Sequence, residues 1–216
     1  MSAKPNVKLN SKQDAKKCIL QAAAKLFSRC GLDKTSTRDI SKDSHANISL
    51  ISYHFGGKEG LYREVIREFA EKVRDQVTPI IKEFKEKPMS KELFVGEVKT
   101  MVNNIVEMRY AHPEISIILS REKIEGMPLS RDVHEEIFYP LIKNFYAMVI
   151  AAQEKNIVRP SINPAVFFIM LSEGVMGFYE MMDCNTSLRE DCEALIQDRE
   201  AFKNQVVDIF LTGVLV

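Results

Sequence analysis

The sequence predicts an all-α protein, on three observations. Apolar residues recur at helical spacing over most of the 216 residues, and no stretch keeps the alternation of a half-buried strand. The periodic segments are separated by Gly, Pro and capping residues. Hydrophobic residues make up 45% of the chain and charged residues 28%, with only 9 Gly and 8 Pro, which suits a packed fold and excludes fibrous and disordered classes. About nine helices are expected, arranged as an N-terminal three-helix domain ending at residue 57 and a larger C-terminal helical domain over 58–216.

The first helix opens at Ser11, with Asp14 placed for a capping box, carries Ile19, Ala22, Ala23, Leu26 and Phe27 on one stripe, and ends at Gly31. The second starts after Ser36, which can cap the amide of Asp39 while Asp39 returns the bond, and runs to about Ser44. A turn at His45 and Ala46 leads to Asn47, an N-cap for a third helix ending near Phe55. Gly56-Gly57 breaks the chain, and Lys58 opens a fourth helix reaching about Lys87, with Pro79 as a kink. Further helices are expected over about 90–110, 113–124, 130–155 with Pro140 kinking or splitting it, 164–182 after Asn163, and 198–211.

The formal net charge of zero hides an asymmetry: residues 1–63 hold twelve Lys/Arg against five Asp/Glu, and the remainder hold eighteen against twenty-five. A basic N-terminal third on an acidic remainder is the balance expected if one end meets phosphate. Chance clustering on a solvated face is the competing explanation. Cys18, Cys30, Cys184 and Cys192 form neither a CxxC pair nor a zinc-finger spacing, so reduced thiols, a cytoplasmic setting and no metal are expected. The polar N-terminus lacks the apolar core of a secretory signal. The most apolar stretch, 166–182, is interrupted by Glu173 and Glu180 and falls short of the roughly 20 clean residues that span a bilayer, so it reads as a buried helix with no membrane partner.

Two short helices joined by a tight turn over 36–55, braced by a preceding helix, have the geometry of a helix-turn-helix, whose second helix can enter a major groove. Ser36, Thr37 and Arg38 at the start of the first of the pair can donate to phosphate. Asn47, Ser49 and Leu50 lie on the first turns of the second, where amide and hydroxyl groups reach base edges and an apolar group meets a thymine methyl. Ser52, Tyr53, His54 and Lys58 are placed for backbone oxygens, and Phe55 is expected in the core. For Ser49 and Ser52 simple solvation competes with these roles, and for Lys58 a plain surface charge.

The strings Thr35-Ser-Thr-Arg-Asp-Ile40, Ile48-Ser-Leu-Ile-Ser-Tyr-His-Phe55 and Gly56-Gly-Lys-Glu-Gly-Leu-Tyr62 resemble the DNA-binding domain of the TetR family of transcriptional regulators over about residues 12–65. The string Tyr53–Tyr62 together with Arg121-Glu122 resembles the CecR-like branch of that family. The resemblance implies a transcription regulator that binds double-stranded operator DNA as a homodimer and answers to a small-molecule effector. Two positions depart from its pattern: His45 stands where Gly is usual, and Ser52 where Tyr or Asn is usual, which weakens one expected phosphate contact.

In the last two helices, Phe167, Met170, Gly174, Phe178, Phe202, Val206, Ile209 and Phe210 fit the two-fold four-helix interface that the resemblance implies, with an intramolecular core as the alternative. Met101, Asn104, Ile105, Met108, Phe138, Tyr139, Phe145 and Met148 are candidates for lining an effector cavity, against plain core packing. Leu141 shares that helical spacing, and Arg109 is a further polar candidate. No cofactor is expected. An enzyme lacks its parts: His45, His54, His112 and His134 are dispersed, with no phosphate loop, HExxH or nucleophile elbow. A helical adaptor without DNA binding and an oxidation-sensing regulator using Cys184 and Cys192 remain as alternatives.

Overall fold

The computed structural model describes residues 12–184 and 186–216. Its elements are α1 (Lys12–Lys34), α2 (Thr37–Ser44), α3 (Ile48–Phe55), α4 (Lys58–Lys85), α5 (Lys91–Ala111), α6 (Pro113–Ile124), α7 (Arg131–Val133), α8 (Tyr139–Glu154), α9 (Pro164–Asp183), α10 (Ser187–Asp191), α11 (Glu193–Gln197) and α12 (Arg199–Val214). Among the described residues there is no strand, and the one extended pairing is a lone antiparallel bridge from Val158 to Leu215. The all-α class therefore holds.

Packing divides the chain into two compact units: the described residues up to 73 with 114–136, and 74–113 with 137–216. This division differs from the expected one at residue 57. It places the first half of α4, with α6 and the loop after it, in the unit that holds α1–α3.

Local chemistry accounts for most of the boundaries in the first unit. The expected cap at Ser11 lies outside the described residues. Gly31, at φ 78° and ψ 171°, breaks the helical path of α1. Ser36 caps α2 by accepting the Asp39 amide at 3.1 Å, but the Asp39 carboxylate takes the Ser36 hydroxyl instead of returning to the backbone. Asn47 caps α3 by accepting the Ser49 amide at 2.9 Å. Ile19, Ala23, Phe27, Ile40, Ile51, Leu61 and Ile66 are fully buried, and Phe27 meets Tyr62 edge-on at 5.0 Å.

In the second unit α5 buries every fourth residue, Phe94, Val98, Val102 and Val106, against Phe145 and Val149 of α8, Leu171 and Val175 of α9 and Val207 of α12. Each such burial removes apolar area worth about 1.5–3 kcal/mol from water. Pro79 lies inside α4, which continues to Lys85. The expected helix over 130–155 is split as its proline suggested: α7 passes into one π-type turn, His134–Phe138, and Pro140 then sits in the first turn of α8. Proline lacks the N–H an α-helix would use there and its ring crowds the carbonyl four residues back, so the wider turn relieves both. Sequence periodicity missed α10 and α11, each five residues long and with no buried residue. A length that short leaves no stripe to detect.

The helix α9 is long and apolar enough to cross a membrane by length and composition alone. Its Phe167, Leu171, Val175, Tyr179 and Met182 are buried, but Val166, Ile169, Met170 and Met181 are exposed, so it is buried on one face only and not as a whole.

Candidate nucleic-acid interface

The helices α2 and α3 pack on each other and on α1, joined by a turn whose pivot is His45 in the left-handed region at φ 53°. The turn is closed by the Ser41 hydroxyl, which donates to the Ala46 carbonyl at 2.7 Å, while Ala46 is buried. His45 thus takes the conformation that glycine would supply, at a backbone cost, and the turn stays tight.

Ile51 anchors α3 inward, leaving Ser49, Ser52 and Tyr53 on the exposed face, with Tyr53 75% exposed. Asn47 is exposed but its side-chain oxygen is engaged, accepting from both the amide and the hydroxyl of Ser49, the latter at 2.9 Å. Its amide nitrogen stays available for a base edge. Leu50 is half-buried beside this face, and Ser36 and Arg38 are exposed at the start of α2, with Thr37 half-buried.

Three residues sit differently from a simple surface reading. The imidazole of His54 lies edge-on to Tyr53 at 4.9 Å, and its Nε2 is buried without a hydrogen-bond partner. Phe55, expected in the core, is half-buried, with the Lys16 ammonium 5.8 Å from its ring centroid. Lys58 is turned toward the end of α1, where its ammonium donates to the Leu32 carbonyl at 2.8 Å.

Sequence reasoning passed over Gly60. A Cβ there would stand 1.8 Å from the Phe55 carbonyl oxygen, so only glycine lets the first turn of α4 close on the end of α3. Nothing in the sequence marks this, because the contact is between backbones. The same unit holds a charge cluster with no sequence signature: Arg63 and Arg67 pair with Asp132, and Arg67 with Glu136 at 2.9 Å. Burial raises the Asp132 carboxyl pKa, but the Arg63 and Arg67 guanidinium groups outweigh that and hold it below the usual range. Glu122, fully buried, accepts from the Ser130 hydroxyl at 2.7 Å and the Ser130 amide at 3.0 Å.

The remaining sites lie in the second unit. Of the expected interface residues, Phe167, Phe202 and Val206 are buried in the unit's own core and Phe178 and Phe210 pack against it. Met170 and Ile209 face outward, 60% and 63% exposed, with Val166 and Ile169 also exposed on α9. Gly174 is exposed, and a Cβ there would meet the Phe210 ring at 3.4 Å. Of the expected cavity residues, Phe145 and Met148 are core, Met101 and Ile105 pack against it, and Asn104, Met108, Phe138 and Tyr139 are half-buried. Arg109 is buried and paired with Asp183. A depression on this unit, lined by Glu107, Gln197, Asp198 and Arg199 among others, contains none of the eight. Cys184 and Cys192 are free thiols.

An all-helical chain with a tight, capped helix-turn-helix whose second helix shows a polar face belongs to the class of helix-turn-helix proteins. Residues 19–65 match the family described as bacterial regulatory proteins, tetR family. The chain is 26% identical over 147 residues to the HTH-type transcriptional dual regulator CecR of Shigella flexneri, covering 64% of this chain and 65% of that one. It is likewise 26% identical over 145 residues to the probable HTH-type transcriptional regulator YttP of Bacillus subtilis, covering 67% of each. The matched stretch thus spans about two thirds of the length of these relatives. Among solved structures, HlyIIR, a hemolysin II transcriptional regulator, shares the fold with a TM-score of 0.64 at 16% identity, over 95% of this chain and 99% of that one. The ketosteroid transcriptional regulator KstR2 of Mycobacterium tuberculosis does so with a TM-score of 0.65 at 16% identity, over 97% of each. Residues 19–65 thus carry a likeness to the tetR family, and the relatives that match over a longer stretch are named as transcriptional regulators.

Proposed function

We propose that this protein is a cytoplasmic repressor that binds a palindromic operator as a homodimer and leaves it when a small apolar effector enters the C-terminal domain. In functional terms the division is then the DNA-reading part up to residue 57 and the effector and dimerisation part over 58–216. The observation that carries the reading is the exposed polar face of α3, Ser49, Ser52 and Tyr53, presented beyond a closed turn and flanked by exposed Arg38. Such a face offers hydroxyl groups to base edges and phosphates, and the guanidinium adds charge for the backbone. The relatives named as transcriptional regulators support it. So does the exposed apolar strip of Val166, Ile169, Met170 and Ile209, which a second copy would cover. Effector release follows if the ligand binds the DNA-free arrangement more tightly than the bound one.

The test is to select genomic fragments that the full-length protein retains and to measure their affinity for an Arg38→Ala, Tyr53→Phe double variant. Binding weakened at least tenfold, with the slope of log affinity on log salt reduced by about 0.9 for the lost phosphate charge, is expected. Undiminished binding would remove this face from the DNA interface.

A further inference from the structure

The end of α1 is where three distant parts of the chain meet. Past the last turn of a helix the carbonyl groups have no intrahelical donor, and Gly31, at φ 78°, ends the regular path early. The donors come from elsewhere. The Thr35 hydroxyl gives to the Gly31 carbonyl at 2.7 Å and lies 3.3 Å from that of Leu26. The Lys58 ammonium, from the start of α4, gives to Leu32 at 2.8 Å. The Arg121 guanidinium, from α6, gives to the Phe27 carbonyl at 2.7 Å. Two of the three are cations, the charge that the negative end of a helix dipole favours.

Arg121 is not a free surface charge that happens to land there. The segment that follows its helix is tied to α4 in the same compact unit by the pairs from Arg63 and Arg67 to Asp132 and from Arg67 to Glu136. The loop after α6 is closed on it by buried Glu122, which binds the backbone of Leu129 and Ser130. On the other side, Thr35 stands two residues ahead of Thr37 and three ahead of Arg38, and its hydroxyl ties the start of α2 to the end of α1.

We propose that Arg121 and Lys58 are positioning residues for operator recognition: by closing the carbonyl end of α1 they set where Thr37, Arg38 and the helix pair behind them stand. Neither acts by touching phosphate. This gives Lys58 a role different from the backbone contact its sequence suggests, and makes the 114–136 segment part of the DNA-reading body. The inference rests on the reading of 36–55 as the operator surface.

The experiment measures operator-fragment affinity of the full-length protein as a function of salt for Arg121→Gln, Arg121→Lys, Lys58→Met and Arg38→Ala, with the denaturant midpoint of each. Loss of one charge-assisted bond at the α1 end is expected to weaken binding about tenfold in Arg121→Gln and in Lys58→Met. The salt slope should stay that of the unaltered protein, and Arg121→Lys, which keeps a charged donor, should recover much of the affinity. Arg38→Ala should instead lower the slope by about 0.9. Amide exchange over residues 32–40 should quicken in Arg121→Gln without DNA present, while the global midpoint moves little. Unchanged affinity and unchanged exchange in Arg121→Gln would overturn its role; a slope lowered as in Arg38→Ala would make either cation a phosphate contact and overturn it equally. If Arg121→Gln loses its global midpoint, Arg121→Lys decides: normal stability with binding as weak and exchange over 32–40 as fast as in Arg121→Gln counts against positioning by a charged donor. Retention of no fragment by the unaltered protein would instead be a failure of the operator reading itself.

Discussion

Lys203 is buried on α12 with its ammonium donating to Asn103, Glu107 and Glu200, each at 2.7 Å. Burial works against its charge, but the bonds to Glu107 and Glu200 outweigh this and hold its pKa above the usual lysine range. Through the hydrogen bond from Lys203, Glu107 is held below the usual carboxylate range. The signs follow: the Glu107 contribution is present above its ordinary range and lost as pH falls through its lowered value, while that of Lys203 is lost only as pH rises through its raised one. Lys203→Met should therefore lower stability by about 1–3 kcal/mol at neutral pH, read from urea midpoints. The gap between the two proteins should narrow below about pH 4, as the carboxylates protonate. A constant gap across that range would assign the loss to packing instead. No sequence pattern marks the whole group, because two of its partners, Asn103 and Glu107, lie on α5, about a hundred residues away.

At the scale of elements, the caps were legible and the backbone contacts were not. Ser36, Asn47 and Asn163 each cap the helix that sequence reading placed after them, since a capping side chain bonds within three residues of itself. Gly60 is the counterexample. Its role depends on the first turn of α4 passing the Phe55 carbonyl, a contact set by the angle between two helices. Gly60→Ala should consequently disrupt the packing of α3 on α4 and cost about 1–3 kcal/mol, the usual penalty of overpacking, despite the better helix propensity of alanine. The check is thermal unfolding; a melting temperature equal to or above that of the unaltered protein would mean that the helix ends separate at little cost. The reverse side of element-scale reading is α10 and α11, whose five-residue spans bury nothing and so left no periodicity.

For the whole molecule, the proposed dimer rests on the exposed apolar residues of α9 and α12. Met170 and Ile209 lie outward, while Phe167, Phe202 and Val206, which share those helices, fill the core. A solvated monomer seldom leaves such a strip bare. Ile209→Glu places a charge in the strip without entering the core, and should turn the proposed dimer into a monomer in sedimentation experiments. Operator affinity should fall with it, because two half-sites are then addressed independently. A dimer that survives Ile209→Glu would move the interface elsewhere.

By itself the sequence determined the helical class, nearly every helix start, and the helix-turn-helix with its likeness to the tetR family over 19–65. These are local: periodicity, caps, turns and the Tyr53-His54-Phe55 string depend on residues a few positions apart. Only the tertiary structure decided which side of each apolar helix is core, that Lys58 and Arg121 close the end of α1, that Glu122 and Lys203 are buried with partners, and that residues 114–136 pack with the N-terminal helices. The reason is physical. An apolar residue needs any dry surface and a cation any nearby oxygen, and which surface or oxygen each finds is chosen by chain segments far away in sequence.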